Sequence, residues 1–385
     1  MLIVRLLFKN AFRHKFRAFL TILSITIAIL AVVMLRTVIG AWYAGVDASS
    51  ASRLVSRNAV SIIFPLPLSY KDRIQQIDGV HLVSYGNWFG GIYIDEKNFF
   101  ANFAVEPKTY LDLYPEYVLA PKERDAFLKD RKAFAAGKKL AAKYGWKIGD
   151  SVTLRGTIYP GNWDFVLRAV YWGKTDSVDE TQFFFHWNYL NETMKKTAPS
   201  RADQVGFYMI GVDNPDISSA VTAAIDKSFK NSWAETLTET EKAFQQGFIA
   251  MSGAIINAIE IVSFVVIFIM LAVVANTMAM TTRERIGEYA ILKTLGFGGW
   301  AIGSLIAGES VIISLCGYLC GVVLSFPAAA GFKQALGMYF PIFKVESASL
   351  VMALVASLIV AILAAVVPIQ RAIGIRIADG LRRIG

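Results

Sequence analysis

The sequence contains 385 residues, of which 55% are hydrophobic and 18% are charged, with 39 lysines and arginines against 30 aspartates and glutamates. Ordinary soluble domains have about 25% charged and about 45–50% apolar residues, so this composition argues against a disordered chain or a wholly soluble protein. The two cysteines, Cys316 and Cys320, lie in one apolar run. No disulfide framework is therefore predicted.

The chain begins with a basic, amphipathic segment over residues 1–17. Leu6 and Phe12 can share one helical face, whereas Lys9 and Arg13 lie on the opposite face. This pattern predicts a cytoplasmic helix that lies in the inner membrane interface.

The first apolar run covers residues 18–35 and contains no charged residue. It is longer than the roughly 7–15 residues of a signal-peptide core, which favours an uncleaved membrane anchor over a signal peptide. We expect residues 18–57 to form transmembrane helix 1 and an outer stalk.

Residues 58–237 differ in kind, because charged residues, glycines and prolines are frequent there. Short β-rich runs predict strands at 59–64, 152–154, 165–170, 183–185 and 207–211. Helical spacing of apolar residues predicts helices at 70–77, 135–144 and 216–229. This segment is predicted to be a folded periplasmic α+β domain.

The return to the membrane covers residues 238–282, predicted to form a second stalk and transmembrane helix 2. Thr238 followed by Glu241 has the spacing of a capping box and predicts a helix start. Apolar residues then recur every three or four positions and predict a stalk seam of Phe244, Phe248, Met251 and Ile255. The alternative is an interfacial or broken segment at Gly247 and Gly253.

The remaining segments are two more apolar runs, the loop between them and a basic end. They are predicted to be transmembrane helix 3 at 297–326, a short periplasmic loop at 327–349, transmembrane helix 4 at 350–370 and a cytoplasmic tail at 371–385. Gly317 and Gly321 form a small-residue motif that predicts close helix packing in lipid. Cys316 and Cys320 are four residues apart, but with no His or carboxylate nearby they are predicted to be packing residues and not metal ligands.

Glu309 is the ionisable residue that falls within a predicted span. Charges inside membranes commonly mark an ion or substrate pathway, but these spans lack a central array of such residues. We predict that Glu309 pairs with a basic group near the inner end, and a transport role is the alternative.

The flanks of the spans predict the topology. The segments before the first span, between the second and third, and after the fourth contain twelve basic residues against three acidic ones. By the positive-inside rule these segments are cytoplasmic. The sequence thus predicts an α-helical membrane protein with four transmembrane helices and an α+β extracytoplasmic domain inserted between helices 1 and 2.

The inner loop 283–296 contains charges of both signs on an amphipathic pattern, and Gly296 suits a helix stop. A short helix held between two spans can transmit force to or from a cytoplasmic partner. A solvated interfacial loop is the alternative. The chain has no G-x-x-x-x-G-K-[ST] motif, so it is not predicted to be an ATPase.

Four motifs resemble those of ABC transporter permease subunits of the MacB, LolC/LolE and FtsX type. The inner-loop pattern E-R-x-x-E-I-x-x-L-x-A-x-G is matched by Glu284, Arg285, Glu288, Tyr289, Leu292, Thr294 and Gly296. The start of span three is matched by Glu309, Ser310, Gly317 and Gly321, and the chain's end by Pro368, Arg371, Ala372 and Gly380-Leu381-Arg382. The outer-domain pattern G-x-x-L-A-x-x-x-G-x-x-x-G-D is matched by residues 137–150.

The resemblance implies a permease in the bacterial inner membrane, with both termini in the cytoplasm. A coupling helix would dock on a dimeric cytoplasmic ABC ATPase, a separate polypeptide that binds ATP and magnesium, so that this chain binds no cofactor itself. The implied coupling residues are Arg283, Glu284, Arg285, Glu288, Tyr289, Leu292, Lys293 and Gly296. A second permease copy in a homodimer and a periplasmic membrane-fusion adaptor are further implied partners, and nucleic acid is not.

The predicted function is export of a hydrophobic or amphiphilic substrate, such as a lipid, lipoprotein, drug or peptide. One alternative is an FtsX-like mechanotransmitter that regulates a periplasmic cell-wall hydrolase, and another is a sensor permease that relays peptide binding. The large outer domain favours export, because FtsX-like proteins usually have a more compact one.

Overall fold

The computed structural model of this chain describes residues 2–98, 100–337, 340 and 342–376. They form two compact units. The described parts of Met1–Ala41, Ser252–Leu336 and Phe343–Gly385 make up a helical unit, and those of Trp42–Met251 and Gly337–Ile342 make up a mixed unit. The motif Gly380-Leu381-Arg382 and most of the predicted tail lie outside the described residues.

The helices, in chain order, are α1 Leu2–Ala11, α2 Lys15–Ala48, α3 Tyr70–Gln75, α4 Pro107–Leu113, α5 Pro121–Lys129, α6 Lys138–Tyr144, α7 Trp187–Thr197, α8 Ser218–Ser228, α9 Glu241–Met251, α10 Gly253–Glu284, α11 Ile286–Thr294, α12 Gly299–Leu336 and α13 Ser347–Gly374. Short 3₁₀ turns occupy Pro199–Arg201 and Pro215–Ile217.

The strands are β1 Arg53–Asn58, β2 Leu66–Pro67, β3 Val80–Trp88, β4 Gly91–Ile92, β5 Asn102–Val105, β6 Tyr117–Val118, β7 Ala133–Gly137, β8 Ser151–Gly156, β9 Gly161–Gly173, β10 Phe183–His186, β11 Gln204–Val205, β12 Phe207–Val212 and β13 Thr236–Thr240.

Four helices of the described chain are long and apolar enough to cross a membrane, namely Lys15–Val46 of α2, and α10, α12 and α13. The shortest of them has 28 residues, which span about 42 Å at 1.5 Å per residue and exceed the roughly 30 Å of hydrocarbon. The mixed unit follows the first of these helices in the chain. The predicted fold class is therefore confirmed.

Two of these helices are longer than the apolar runs on which their prediction rested. α12 continues through Pro327 to Leu336, so the first residues of the predicted loop 327–349 are helical. α2 continues past Arg36 to Ala48. The segment predicted as the second stalk and transmembrane helix 2 contains two helices, because α9 ends at Met251 and Ser252 separates it from α10.

Close backbone approaches hold the helical unit together. Gly317 and Gly321 of α12 lie against Ile25 and Ile29 of α2, and Thr26 Oγ1 donates to the Gly317 carbonyl at 3.3 Å. Such small residues allow helices to pack closely in lipid, where apolar burial provides no driving force.

Hydroxyl groups add hydrogen bonds between α12 and α13. Ser310 Oγ donates to the Ala361 carbonyl at 2.7 Å, and Ser357 Oγ donates to the Ser314 carbonyl at 3.2 Å. These two small hydroxyl residues thus join the third and fourth spans to one another.

A large mixed sheet forms the centre of the mixed unit, with the strand order β13-β1-β12-β3-β5-β10-β7-β9-β8-β4 and β6 paired to β9. The β5/β10 and β7/β9 pairs are parallel, and the others are antiparallel. The two short strands β2 and β11 pair separately.

Both faces of this sheet are buried at the central strand β10. Phe183 and Phe185 of β10 belong to one apolar cluster, whereas Phe184 between them belongs to another that contains Tyr110 and Tyr171. Alternate residues of a strand point to opposite faces. The consecutive aromatic residues of β10 therefore supply two cores at once.

The prediction of a strand at 59–64 is wrong, because β1 is Arg53–Asn58 and the apolar run that follows it is a loop. The Asn58 side chain accepts the Val60 N–H at 3.0 Å, and Ser61 accepts the Phe64 N–H at 3.1 Å. These local bonds turn the backbone and replace strand pairing.

Two further boundaries differ from prediction. Residues 135–137 belong to the fully buried strand β7, and the predicted helix begins only at Lys138. The helix predicted to start at Thr238 begins instead at Glu241, since Thr238 lies in β13. The Thr238 hydroxyl bonds Ser56 Oγ of β1 at 2.9 Å and Asp226 Oδ1 at 2.7 Å, so it serves the sheet and not a helix cap.

Candidate functional site

The short helix α11, Ile286–Thr294, lies between the spans α10 and α12 and ends with a defined stop. The Phe297 N–H donates to the Leu292 carbonyl at 3.0 Å, and the Gly296 N–H donates to the Lys293 carbonyl at 3.1 Å. Together with the positive φ of +90° at Gly296, these bonds form a Schellman motif. Gly296 thus ends the helix, and the direction of the chain beyond it is set by two backbone bonds.

Arg285, the residue before α11, forms a buried ion pair with Glu309 of α12. The exposed fractions of their side chains are 8% and 2%. Arg285 Nε also donates to Glu288 Oε2 at 2.9 Å, and its guanidinium lies 5.3 Å from the ring centre of Tyr289. Because a buried charge without its partner is costly, this pair ties the start of α11 to the third span.

The N-terminal segment contacts the same region through a second set of charges. Arg17 of α2 forms two hydrogen bonds with Glu284, at 2.6 and 2.8 Å, and His14 Nε2 lies 3.5 Å from the same carboxylate. Arg13 pairs with Glu288. These pairs are partly exposed, so each contributes modestly, about 0–1 kcal/mol. Together they connect both ends of the turn between α10 and α11 to the beginning of α2.

The far end of α11 is tied to the fourth span. Lys293 Nζ donates to the carbonyls of Ile373 and Ile375 at 2.6 and 2.9 Å. Cations are favourable at a helix C-terminus because its last carbonyls lack partners within the helix. Tyr289 and Ala290, in the middle of α11, are buried against the helical unit.

The outward surface of this segment is apolar and was not recognised in the sequence. We call Ile291, Leu295, Phe297 and Trp300 the apolar edge. All four are exposed, with Leu295 at 70% and Trp300 at 91%. Arg283 and Glu284 are exposed beside it, whereas Arg285, Tyr289 and Lys293 are engaged within the unit.

The residues predicted as a stalk seam differ in burial. Phe244 of α9 packs on the cluster that contains Tyr114, and its ring meets that of Phe248 edge to face at 5.0 Å. Phe248 and Met251 are otherwise exposed, as is Ile255 at the start of α10. These residues therefore recur at helical spacing, but Phe248, Met251 and Ile255 are not buried within a single chain.

Comparison with known proteins identifies the helical part. Residues 260–377, which contain α11 and the two spans after it, match the family described as FtsX-like permease C-terminal. The chain carries an FtsX-like permease domain. It is also homologous to an uncharacterized ABC transporter permease of Methanocaldococcus jannaschii, at 23% identity over 351 residues that cover 84% of this chain and 82% of the other. The family resemblance of the sequence motifs is thereby confirmed.

Two solved structures similar to this chain are extracytoplasmic regions of transport proteins. The periplasmic region of MacB from Actinobacillus actinomycetemcomitans matches with a TM-score of 0.38 at 9% identity, over 53% of this chain and 95% of that one. The extracellular domain of the transporter YknZ from Gram-positive bacteria matches with a TM-score of 0.36 at 12% identity, over 49% and 98%.

The matched region contains every contact described around α11 except those of the N-terminal arm, Arg13 to Arg17. The Arg285–Glu309 pair and the apolar edge both belong to the FtsX-like domain. The arm lies outside the matched residues, yet it bonds Glu284 and Glu288 within them.

Proposed function

We propose that this chain is the membrane subunit of an ATP-driven ABC export system in which a separate ATPase moves α11. The observation that carries the proposal is the arrangement of this helix. Polar side chains of this helix, and Arg285 just before it, bond the N-terminal arm, α12 and the end of α13, while the side chains of the apolar edge are exposed. A push on this surface would reach three spanning helices.

The remaining parts of the proposal rest on the charge distribution of the chain and on its resemblance to ABC transporter permeases. α11 lies on the cytoplasmic side, where net positive charge is retained, and the ATPase dimer binds ATP and magnesium there. The mixed unit lies outside the inner membrane and acts on a hydrophobic or amphiphilic substrate. A second copy of the chain completes a homodimer, and a membrane-fusion adaptor completes the path outward.

The apolar edge is proposed as the ATPase contact in place of the charged face of α11. Trp is among the residues that contribute most to protein interfaces, and removing a central one typically costs 2 kcal/mol or more. The Schellman motif fixes the backbone from which Leu295 and Phe297 project, and Trp300 projects from the first turn of α12. A groove on the ATPase that accepts apolar side chains would therefore bind a preorganised surface.

Replacing Leu295 with Ser and Trp300 with Ala tests this contact. We expect the affinity for the ATPase that co-purifies with the tagged wild-type chain to fall by about thirtyfold or more, the equivalent of 2 kcal/mol. Binding is measured by titrating that ATPase onto the chain in lipid nanodiscs. Trp233→Ala removes another highly exposed tryptophan, in the mixed unit, and should leave the affinity unchanged. Equal affinities for all variants would place the ATPase contact elsewhere.

A further inference from the structure

A buried ionic cluster lies where the end of α2 and the start of α9 meet the sheet of the mixed unit. Here α2 leads through Ser50 into β1, which begins at Arg53, and β13 leads directly into α9, which begins at Glu241. Arg53 and Glu241 form a hydrogen-bonded ion pair, Nε to Oε2, at 2.8 Å. We call Ser50, Arg53, Tyr114, Glu116 and Glu241 the root cluster.

Arg53 uses most of its donors in this cluster. Its Nη2 donates to Glu116 Oε1 at 2.7 Å, and its Nη1 donates to the Leu113 carbonyl at 3.1 Å. The guanidinium also lies 4.2 Å from the ring centre of Tyr114. One side chain of β1 is thus fixed to the end of α4 and to the segment that follows it.

Glu241 is fixed from three sides. In addition to Arg53, its carboxylate accepts the Tyr114 hydroxyl at 2.9 Å and the Ser50 N–H at 3.0 Å. Ser50 belongs to the link after α2, whereas Tyr114 belongs to the body of the unit. The first residue of α9 therefore holds the chain that leaves α2 and the sheet at the same time.

Burial makes these bonds strong and specific. The side chains of Arg53 and Glu241 are only 9% and 10% exposed. Burial by itself would lower the pKa of Arg53, but the charges of Glu241, Tyr114 and Glu116 raise it above its ordinary value. Burial, and then the charge of Glu241, raises the pKa of Tyr114, so that its hydroxyl stays protonated and donates.

A second ion pair, which joins the strands β1 and β13, provides an internal comparison. Arg57 of β1 and Glu239 of β13 approach to 3.4 Å, and their side chains are 22% and 27% exposed. This pair has none of the additional buried bonds of the root cluster. Cross-strand attachment alone therefore does not account for the arrangement at Glu241.

We infer that the root cluster is a rigid joint that makes the end of α2, the start of α9 and the sheet move as one body. The inference rests on the proposed function, because a joint of this kind matters only if these helices convey motion. Arg53 and Glu241 are positioning residues in this account. Without them, the link at Ser50 and the β13–α9 junction would become hinges, and motion of the helices would be lost before it reached the sheet.

The joint is tested first on the full chain in nanodiscs, without nucleotide, by amide hydrogen exchange. The exchange rate of the Ser50 N–H measures the joint directly, since the acceptor of this group is Glu241. In Glu241→Ala and Arg53→Met we expect Ser50 and the first turn of α9 to exchange at least about a hundredfold faster, because one buried partner loses its counter-charge. Glu241→Gln keeps the shape of the side chain and should give a smaller increase. β10 should remain protected in all variants.

The matched control is the double variant Arg57→Gln with Glu239→Gln, which removes the more exposed pair of the same strands. Its exchange at Ser50 should equal that of the wild-type chain. A rigid joint is contradicted if Glu241→Gln and Arg53→Met leave the exchange at Ser50 unchanged, or if the control accelerates it equally.

Transmission is tested in the complex with the co-purified ATPase. Cys316 and Cys320 are replaced by Ser, and spin labels are placed at Lys122→Cys and Gln246→Cys, on α5 and α9. ATP with vanadate should leave the wild-type distance unchanged, because both labels belong to one rigid body, and should shift it in Glu241→Gln. A nucleotide-driven shift in the wild-type complex would overturn the joint. Failure of any ATPase to co-purify would instead contradict the proposed function, and the exchange result would still decide the joint.

Discussion

Glu309→Ala is expected to lower the free energy of unfolding of the helical unit by about 3–5 kcal/mol, because it leaves Arg285 buried without its counter-charge. Arg285 would retain its bond to Glu288, but that carboxylate is itself 40% exposed and also engaged by Arg13. Unfolding in nanodiscs, followed by tryptophan fluorescence with increasing denaturant, measures the difference.

Two further variants separate charge pairing from mere side-chain volume. The double change Arg285→Met with Glu309→Met replaces the pair by apolar groups of similar size and should recover most of the lost stability. Glu260→Gln removes a looser pair, since Glu260 lies 3.8 Å from Arg36 and is 41% exposed, and should change stability by less than about 1 kcal/mol. The buried pair is contradicted if Glu309→Ala is as stable as Glu260→Gln.

The recovered double variant also tests what the pair does. If Arg285 and Glu309 transmit motion from α11 to α12, the Met/Met chain should fold and bind the ATPase, yet couple ATP hydrolysis to substrate less well than the wild-type chain. Full coupling in the Met/Met chain would show that the pair has only a structural role.

Gly317→Ala and Gly321→Ala together are expected to separate α2 from α12 and to destabilise the helical unit by several kcal/mol, at about 1–3 kcal/mol for each site. A methyl group on Gly317 would lie 2.5 Å from Ile25 Cγ2 and 3.2 Å from the Ile22 carbonyl. One on Gly321 would lie 2.7 Å from Ile29 Cγ2 and 3.0 Å from the Thr26 carbonyl. Isoleucine in a helix has little freedom to move away, since one χ1 rotamer dominates, and carbonyls cannot move without the backbone.

The control for these substitutions lies on the same helix. Among the described residues, no atom beyond the neighbouring backbone of its own helix lies within 4 Å of the position where a methyl group on Gly331 would stand, so Gly331→Ala should be neutral or slightly stabilising. Adding Ile25→Ala to Gly317→Ala should restore part of the lost stability, as expected for two groups in contact. Close packing is contradicted if the Gly317 and Gly331 variants unfold at the same denaturant concentration.

The spanning helices were predictable because lipid-exposed positions must be apolar, which leaves long runs that no soluble strand or helix needs. Glu309 could likewise be expected to have a basic partner, because an unpaired charge in a span is costly. Which arginine it meets could not be predicted, since that depends on how α11 packs against α12. The resemblance implied that Arg285 is a coupling residue, whereas the structure buries it beside Glu309.

The sheet of the mixed unit was less accessible to prediction. Its parallel β5/β10 and β7/β9 pairs join segments far apart in the chain, and local periodicity carries no information about such pairing. The apolar run at 59–64 predicted a strand, yet Val60 and Ile63 are exposed in a loop. The apolar edge was overlooked for a related reason, because Phe297 and Trp300 adjoin a span and were counted with it.

The most direct test is the distance between the mixed units of the two chains of the proposed homodimer during the ATPase cycle. In the Cys-free chain, a spin label at Lys122→Cys of each copy is measured in the nanodisc complex with the co-purified ATPase, without nucleotide and after trapping with ATP and vanadate. We expect trapping to shift this distance in the wild-type complex and not in the Leu295→Ser, Trp300→Ala variant. An unchanged distance in a wild-type complex that hydrolyses ATP would contradict the proposed function.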